Sequence, residues 1–435
     1  MKNQYKDKTF LVCSPPAFLY NNYRHYICSG SRWSFSMFDK PHPIHDKHYQ
    51  PFPFSLSWAY SLLENLDYNV FGVDSCALDW NEWMFIAYCL NLKPDIIIMD
   101  VPTIAINQTL RLTREIKQTL PKTQFWVGGN HITAFPNKEL YPEIDKLLPH
   151  EIEVSLLKEL GHDAPNFQDY PPVNRTEFPN ELYSNFEFKI PSAQIMTSRG
   201  CTNSCSFCVE RHIIYGNNLV RHRKIENVIK EIKYCKDLGA KQIYFDDMDF
   251  TIDEDYTKNL CLAMIESDSF PYTCLGSSKA SESMIAWLSD SDCLGLAFGV
   301  ETINPKAQKF AKKITQREIK DFTKLLKNYG ISSVATFTLG LPNESEETLK
   351  KNIEFATQEC NADSIQFSIA TPFPGTPFYK YLNNNRLIIK GITWDKFDGA
   401  NFCTYDYPNL SHEKIEELFH WAMDLRKSQN MGFRK

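Results

Sequence analysis

The stretch Cys201-Thr202-Asn203-Ser204-Cys205-Ser206-Phe207-Cys208 spaces three cysteines as C-x3-C-x2-C. It follows an apolar run at 194–197 and a Ser198-Arg199-Gly200 turn, which predicts three thiols on a loop that leaves a buried strand. Thiolates are the preferred ligands of iron–sulfur clusters. Three cysteines leave one iron of a four-iron cluster without a protein ligand, so the pattern predicts an iron that is open to a small molecule.

The same stretch also allows a zinc site. His212 extends the pattern to C-x3-C-x2-C-x3-H, the ligand set of a structural zinc knuckle. Such a knuckle usually lies in a small module that needs the metal to fold, whereas a long series of strand–helix units follows here. Three unrelated buried thiols are a further alternative, which the tight spacing and the polar flanks disfavour.

Composition bounds the class of protein. A chain of 435 residues predicts two domains, and 43% hydrophobic with 23% charged residues is typical of a soluble globular protein. The net charge of −6 argues against a nucleic-acid partner, and no apolar run is long enough to span a membrane. The N-terminus shows no signal-peptide pattern, and 13 cysteines suit a reducing compartment, so a cytoplasmic location is expected.

Residues 1–160 alternate apolar strands with helical patterns, which predicts a parallel sheet covered on both faces. We therefore expect an α/β fold that begins with a Rossmann-like, flavodoxin-like domain. Ligands of such sheets bind at the carboxyl ends of the strands. Those ends carry Pro15, Asp74, Asp100 to Thr103, and Gly128-Gly129. Neither a dinucleotide fingerprint nor a phosphate-binding P-loop is present.

Two segments interrupt this regularity. The loop at 14–53 is unusually long and contains His42, His45 and His48, whose spacing allows a metal site. Intervening prolines and the lack of a helical pattern favour a lid or a partner-facing loop instead. Residues 161–190 are rich in Pro, Asn, Asp and Tyr without periodicity, which predicts a linker or strap.

Residues 191–385 predict six βα units, and hence a partial (β/α)6 barrel of the TIM type, before a helical tail at 386–435. Chemistry in barrel enzymes lies at the carboxyl ends of the strands. The cysteine loop, Asp246-Asp247, Glu301 and Gly340 occupy such ends. Each also has a structural interpretation: the acids could cap a helix or form an ion pair, and the glycine could serve a turn.

The cysteine motif, with Phe207 before its last cysteine, resembles the signature of the radical S-adenosylmethionine (SAM) enzymes. Four later blocks are similar to one branch of that family, whose members carry an N-terminal cobalamin-binding domain; they lie at 244–250, 298–302, 338–344 and 371–377. Residues 127–131 resemble the glycine–glycine block of that N-terminal domain. The resemblance therefore covers nearly the whole chain.

This resemblance implies a [4Fe–4S] cluster on Cys201, Cys205 and Cys208, whose open iron chelates SAM. Reductive cleavage of SAM would give a 5′-deoxyadenosyl radical that abstracts a hydrogen, with electrons from a donor such as flavodoxin or ferredoxin. The resemblance assigns ten further residues: to SAM it assigns Phe207, Asp246, Asp247, Glu301 and Gly340, and to cobalamin, held between the domains, Pro15, Asp100, Thr103, Gly128 and Gly129. The expected function is a C-methyltransferase for a small metabolite or natural-product intermediate, with no catalytic acid or base identified.

The sequence departs from that branch at two places. Asp46 to Pro51 begins like the D-x-H-x-x-G motif of other cobalamin proteins but ends in proline, and the acidic block before the linker is reduced to Glu151-Ile152-Glu153. Two other functions therefore stay open. One is a radical SAM enzyme without cobalamin that catalyses a rearrangement or cyclisation, and the other is a zinc-stabilised binding protein with His212 as the fourth ligand.

Overall fold

Two parallel sheets, one in each half of the chain, carry the fold in the computed structural model. The structure describes residues 4–19, 25–26, 49–185, 191–268, 270–399 and 401–428. The histidines at 42, 45 and 48, for which the sequence offered a metal site or a lid, lie outside the described residues. Within the described part of the chain, no helix is both long and apolar enough to cross a membrane.

The N-terminal sheet has five parallel strands in the order β2-β1-β3-β4-β5. Its strands are β1 Thr9–Ser14, β2 Asn69–Asp74, β3 Ile96–Asp100, β4 Gln124–Gly128 and β5 Lys146–Leu148. This is the strand order of flavodoxin-like doubly wound folds, and it confirms the predicted class. The order in which successive strands are added to the sheet reverses between β1 and β3. Ligands of such folds bind at the carboxyl ends of the strands beside that switch point.

Helices cover both faces of this sheet. They are α1 Phe54–Asn65, α2 Glu82–Leu92, α3 Ile106–Thr119, α4 Asn130–Ala134 and α5 Ile152–Glu159. One apolar core joins α1 and α5 to the first face, with Trp58 and Leu156 buried in it. A second core joins α2 and α3 to the other face through Phe85 and Ile116. Because both faces are covered, strand β3 is buried along its whole length.

The C-terminal sheet has six parallel strands in sequential order from β6 to β11, the predicted partial barrel. The strands are β6 Ser192–Ile195, β7 Gln242–Phe245, β8 Tyr272–Gly276, β9 Cys293–Glu301, β10 Ser332–Leu339 and β11 Ser364–Ile369. The helices that follow them are α6 Ile225–Asp237, α7 Glu254–Glu266, α8 Glu282–Asp290, α9 Gln316–Asn328, α10 Glu346–Glu354 and α11 Pro377–Asn384.

Helix starts in the barrel follow local capping chemistry. The side chains of Asp253, Ser281, Thr315 and Ser345 each accept a hydrogen bond from a backbone N–H in the first turn of α7, α8, α9 and α10. At α9 the Glu318 carboxylate also accepts from the Thr315 backbone, which completes a capping box. The positions of these helices on the outside of the barrel are therefore fixed at the end that lies next to the preceding strand.

Two connecting segments tie the halves together. Residues 161–183, expected as a linker or strap, pack into the N-terminal core through the fully buried Tyr170, Val173 and Tyr183. After α11, the short helix Trp394–Lys396 returns to the N-terminal domain, where the Trp394 ring lies 5.1 Å from the His131 ring. The last helix, α12 His412–Ser428, packs on the barrel with Ile415 and Phe419 in its core.

Candidate functional site

The cysteines lie on a loop whose two ends are paired. After β6, the short strand Ser198–Arg199 pairs antiparallel with Arg221–His222, and residues 200–220 form the loop between them. We call this two-stranded pair the neck of the loop. Gly200 has a φ of +96°, and a Cβ there would lie 1.9 Å from the carbonyl oxygen of Leu219. Only glycine fits such a close approach, so the neck depends on Gly200.

The three thiols differ in their access to solvent. Cys201 and Cys205 are buried and Cys208 is half-buried, whereas Thr202 and Ser204 at the crest of the loop are exposed. Burial raises the pKa of the Cys205 and Cys208 thiols to about 12, although the Lys312 ammonium acts in the opposite direction on Cys205. Thiols in such surroundings are inert until a metal stabilises the thiolate form. Their chemistry therefore suits metal ligation and does not suit a free nucleophile.

The geometry favours a cluster over the zinc alternative. The Nε2 atom of His212 lies 3.1 Å from the backbone carbonyl oxygen of Cys205, so this ring contacts the backbone of the loop. A tetrahedral zinc ion with Zn–S bonds of about 2.3 Å needs sulfurs about 3.8 Å apart. Within the described residues, the group whose three ligand atoms lie within 4.8 Å of one another is Asp406, His412 and Glu413, far along the chain from the cysteines. The contact of the His212 ring with the loop backbone therefore disfavours His212 as a fourth zinc ligand.

Hydrogen bonds from two barrel elements hold the loop between its second and third cysteines. The backbone N–H and the hydroxyl of Ser206 both donate to the Phe310 carbonyl oxygen at 2.8 Å. The N–H of Phe378, in the first turn of α11, donates to the Ser206 carbonyl oxygen at 3.0 Å. At the other end, the Arg211 guanidinium donates to the Cys201 carbonyl oxygen at 2.9 Å. The loop is therefore fixed in place by the barrel that surrounds it.

The predicted SAM residue Asp247 has a structural role at the entrance to this loop. It is fully buried after β7, and its carboxylate accepts four hydrogen bonds, from the backbone N–H and the hydroxyl of both Thr197 and Ser198. These bonds fix the backbone that leads into the neck. Asp246 is buried beside it, and its own N–H donates to the Ile195 carbonyl oxygen at 2.8 Å. Phe207 packs against the barrel core.

Glu301 lies at the end of β9 beside a cation that the sequence did not single out. Its carboxylate accepts a hydrogen bond of 2.6 Å from the Thr338 hydroxyl, and its φ of +65° is unusual for a residue with a side chain. Burial acts to lower the pKa of Lys312, but the charges of Glu301, Cys205 and Asp249 outweigh burial, and the pKa lies above its ordinary value. The ammonium group of Lys312 therefore stays charged. A carboxyl group and a charged ammonium group therefore lie next to the cysteine loop. Sequence reasoning missed Lys312 because it lies in a segment with many lysines.

Gly340, another predicted SAM residue, is enclosed by protein groups. Its N–H donates to the Glu344 carboxylate at 2.8 Å, and its carbonyl oxygen accepts from the hydroxyls of Tyr405 and Tyr407 at 2.7 and 3.0 Å. A Cβ at this position would lie 2.4 Å from the Tyr405 hydroxyl oxygen. The glycine is therefore required by packing of the C-terminal segment, and contact with SAM stays a prediction.

The residues predicted for cobalamin lie together at the carboxyl edge of the N-terminal sheet. Asp100 ends β3, and the N–H of Thr103 donates to the Asn130 side chain at 2.9 Å. Gly128 ends β4, where a Cβ would lie 2.4 Å from Ile152, and Gly129 begins α4 with a φ of +112°. Pro15 is buried after β1, and its carbonyl oxygen accepts from the Cys76 thiol at 3.2 Å. Gly128 is thus explained by helix packing alone.

The same edge holds buried polar atoms without partners. Among the described residues, the hydroxyls of Ser14 and Ser75, at the ends of β1 and β2, have no hydrogen-bond partner, and neither has Nδ1 of His131, just after β4. All three side chains are at most 4% exposed. Burial lowers the pKa of His131 to about 4, so its ring is neutral. Buried polar groups without partners are uncommon and costly, and here they mark the edge where a doubly wound sheet binds its ligand.

A cleft between the domains joins the two candidate sites. It is bounded on one side by Asp100 and on the other by Met196 and Arg199, which lead into the cysteine loop. Its further lining residues are Phe52, Pro53, Phe54, Ser55, Glu151, Glu153, Ile214 and Tyr215. One residue of the sheet edge, Asp100, and two residues of the cysteine loop, Ile214 and Tyr215, therefore line the same space.

Ion pairs cross this domain boundary. The buried guanidinium of Arg199 contacts the carboxylates of Glu151 and Glu153, and Glu151 also pairs with Arg221 at 2.9 Å. Burial acts to raise the pKa of Glu151, but the two guanidinium groups outweigh it and the pKa lies below its ordinary value. The rings of Trp58 and Phe167 lie over Arg199. Sequence reasoning noted Glu151 and Glu153 only as a reduced acidic block, and an arginine directly before a cysteine loop was the available signal.

Comparison with known proteins agrees with this geometry. Residues 195–356 match the family model of the Radical SAM superfamily. An uncharacterized methyltransferase of Pyrococcus horikoshii is 26% identical over 85% of this chain and 86% of its own length. The bacteriochlorophyllide d C-12(1)-methyltransferase of Chlorobaculum tepidum is 26% identical over 67% of this chain and 66% of its own length.

Solved structures share the fold of both halves. The radical S-adenosylmethionine methyltransferase TsrM from Kitasatospora setae superposes with a TM-score of 0.64 at 16% identity, over 86% of this chain and 76% of its own. The cobalamin-dependent S-adenosylmethionine radical enzyme OxsB gives a TM-score of 0.62 at 14% identity, over 98% of this chain and 62% of its own. Residues 195–356 therefore form a radical SAM domain. More particularly, the chain resembles a methyltransferase over most of its length and shares the fold of cobalamin-dependent radical SAM enzymes over both of its halves.

Proposed function

We propose that this chain is a cobalamin-dependent radical SAM methyltransferase that acts on a small molecule. The observation that carries the proposal is the cleft between the domains, which is lined by Asp100 of the sheet edge and by Ile214 and Tyr215 of the cysteine loop. A [4Fe–4S] cluster with SAM supplies a 5′-deoxyadenosyl radical in such enzymes, and cobalamin supplies a transferable methyl group. The names of relatives support the reaction class, since three of them are methyltransferases.

Each residue has a proposed part in this function. Cys201, Cys205 and Cys208 bind three irons, and Gly200 closes the loop that presents them. Glu301 and Lys312 lie beside that loop and offer opposite charges to the carboxylate and ammonium groups of SAM. The hydrogen bonds of Ser206 with Phe310 and Phe378 fix the loop between the second and third cysteines.

The N-terminal edge offers cobalamin hydrogen-bonding groups in a buried setting. Ser14, Ser75 and His131 provide polar atoms without a hydrogen-bond partner in the part of the chain that the structure describes, and Asp100 and Thr103 lie at the neighbouring strand end. These groups fit a cofactor whose rim carries amide groups. Two of the similar proteins act on small molecules, namely bacteriochlorophyllide d for one and tryptophan for the other.

A second candidate is a radical SAM enzyme that binds no cobalamin and catalyses a rearrangement or cyclisation. One observation favours it: the space beside Gly128, which the sequence assigned to cobalamin, is filled by Ile152 and the Leu148 carbonyl oxygen. The glycine block then serves only the packing of α5 against β4.

Metal analysis after anaerobic reconstitution with iron, sulfide and hydroxocobalamin separates the candidates. We expect about four irons and one cobalt per chain, with loss of the cluster in Cys205→Ala. The matched control is His212→Ala, which should retain iron because His212 contacts a backbone carbonyl oxygen. Iron without cobalt would move the assignment to the cobalamin-free reaction. Zinc in place of iron would contradict both enzyme functions.

We also propose where an electron donor docks. Residues 304–317 contain Lys306, Lys309, Lys312, Lys313 and Arg317 without any acid, in a chain of net charge −6. Residues 377–386 add Lys380 and Arg386, again without an acid. These two segments contact the cysteine loop through Phe310 and Phe378. An acidic donor such as flavodoxin or ferredoxin complements this basic rim, and opposite charges raise the rate of association.

Charge reversal tests this docking surface. Lys309→Glu with Lys313→Glu should slow reduction of the cluster by an acidic flavodoxin at low salt by about tenfold, and added salt should reduce the difference. Lys122→Glu with Lys158→Glu, at two exposed positions of the N-terminal domain, is the control for the same change in net charge. Equal slowing by dithionite, a small reductant, would contradict docking at this rim. A cytoplasmic location, with its reduced thiols, is the proposed compartment for this chemistry.

A further inference from the structure

The neck of the cysteine loop brings two arginines opposite each other. In the antiparallel register, Arg199 is the direct partner of Arg221. Like charges at directly opposed positions of a two-stranded ribbon destabilise it. The pair cannot separate freely, because Gly200 brings the backbone against Leu219 at the same point. The loop that carries all three cysteines therefore closes where its own charges repel each other.

Glu151 of the N-terminal domain lies between these arginines. Its Oε1 atom accepts from Arg221 at 2.9 Å, and its Oε2 atom accepts from Arg199. The preceding residue contacts the same loop farther on, where Nδ1 of His150 lies 3.1 Å from the Ile213 carbonyl oxygen. His150 and Glu151, just before α5, therefore contact the loop at two places, at Ile213 and at the neck.

We propose that Glu151 is a positioning residue for the iron–sulfur loop. Glu153 also pairs with Arg199, but Glu151 is the carboxylate that contacts both arginines. By bridging Arg199 and Arg221, it keeps the neck closed and fixes where the three cysteines face the N-terminal domain. The closure comes from the other domain, so the loop takes its final position only when both domains are assembled. This inference rests on the cluster at the three cysteines, and it is independent of whether cobalamin binds.

The test measures the cluster itself. Glu151→Gln keeps the shape of the side chain and removes its charge. Arg199 keeps its contact with Glu153, but the carboxylate that bridges Arg199 and Arg221 is lost and the two arginines repel each other more strongly. We expect iron release to an excess chelator to accelerate about tenfold. We also expect a changed electron paramagnetic resonance spectrum of the reduced, SAM-bound cluster. The matched control is Glu143→Gln, whose side chain is equally exposed at 15% and pairs with Arg114 elsewhere in the N-terminal domain.

A rescue variant separates positioning from general loss of stability. Arg221→Gln in the Glu151→Gln background removes one of the opposed charges, so iron release should return towards the wild-type rate. Release that is faster still in the double variant would overturn the proposal. A wild-type rate and spectrum in Glu151→Gln, or the same effect in Glu143→Gln, would overturn it too. If Glu151→Gln does not fold, a folded double variant with slow release supports the proposal, and failure of both contradicts it.

Discussion

Asp247 shows how a residue at a catalytic strand end serves the backbone first. Its carboxylate accepts four hydrogen bonds from Thr197 and Ser198, and it is fully buried. Asp247→Asn replaces one acceptor oxygen by a donor, which leaves at least one buried N–H or hydroxyl unpaired. We expect a loss of about 3 kcal/mol in the free energy of unfolding. Thermal unfolding, followed together with SAM affinity, measures the effect.

The neighbouring Asp249 provides the control for that substitution. Its carboxylate accepts two hydrogen bonds, from the backbone N–H and the hydroxyl of Thr251, against four at Asp247, so Asp249→Asn should cost less. If Asp247 instead binds SAM directly, as the resemblance implies, Asp247→Asn would weaken SAM binding without lowering the unfolding temperature. That result would contradict the structural role.

Glu344 gives the barrel a dependence on pH. Burial raises the pKa of its carboxyl from 4.5 to about 7, although the Thr302 hydroxyl and the amides of Gly340 and Leu341 act in the opposite direction. The folded protein therefore holds a proton that the unfolded chain releases above pH 4.5, and stability falls as pH rises from about 4.5 to 7. The shift corresponds to about 3 kcal/mol.

Glu344→Gln isolates this effect because glutamine cannot ionise. We expect the variant to unfold with a free energy that changes less between pH 4.5 and 7 than that of the wild type. Chemical denaturation at several pH values measures the difference. An unchanged pH profile in Glu344→Gln would show that other groups, such as the buried Asp74 with its pKa raised to about 6, cause the dependence.

The sequence predicted local features of the site well and distant ones poorly. The spacing of Cys201, Cys205 and Cys208 is a local pattern, and so is the alternation of buried strands with helices. The pairing of Glu151 with Arg221 joins residues 70 positions apart, and nothing in the local sequence of either indicates the other. For the same reason Asp247 and Gly340 were assigned to SAM by position, while their hydrogen-bond partners were invisible.

At the scale of the element, the backbone of the neck tolerates no side chain at Gly200. Gly200→Ala would place a Cβ 1.9 Å from the Leu219 carbonyl oxygen, and it would also force a side chain into a φ of +96°. We expect the variant to lose the neck and to retain little iron after reconstitution. Gly239→Ala is the control, because its φ of +94° is nearly the same and no atom lies within 4 Å of the added carbon. It should keep its cluster and lose only about 1 kcal/mol of stability.

Iron content after reconstitution distinguishes the clash from the cost of the backbone conformation. Equal loss of iron in both variants would assign the effect to positive φ alone. The lengths of these elements explain why the sequence predicts the sheets but not the neck. A continuous apolar run in the sequence predicts a buried strand such as β3. The neck has only two residues in each strand, and its pairing depends on a glycine, so no such run predicts it.

At the scale of the whole molecule, a segment that follows the barrel packs against the N-terminal domain. Trp394, after the barrel, packs against His131 and Phe135 of the N-terminal domain, with ring centroids 5.1 and 5.9 Å apart. Arg199 and Glu153 form a second tie between the domains at 2.5 Å. Because the cleft lies between the halves, these ties fix the distance between the sheet edge and the cysteine loop.

Trp394→Ala tests whether the C-terminal tie controls the cleft. The Trp394 side chain is half-buried, so its removal should lower the free energy of unfolding by about 2 kcal/mol, less than for a fully buried tryptophan. It also exposes His131, whose unpaired Nδ1 belongs to the proposed cobalamin edge. We therefore expect cobalamin affinity to fall while iron content is retained, measured by equilibrium dialysis and metal analysis. Trp83→Ala, at a side chain that is 79% exposed on α2, is the control. Unchanged cobalamin affinity in Trp394→Ala would mean that the sheet edge is formed without help from the C-terminal segment.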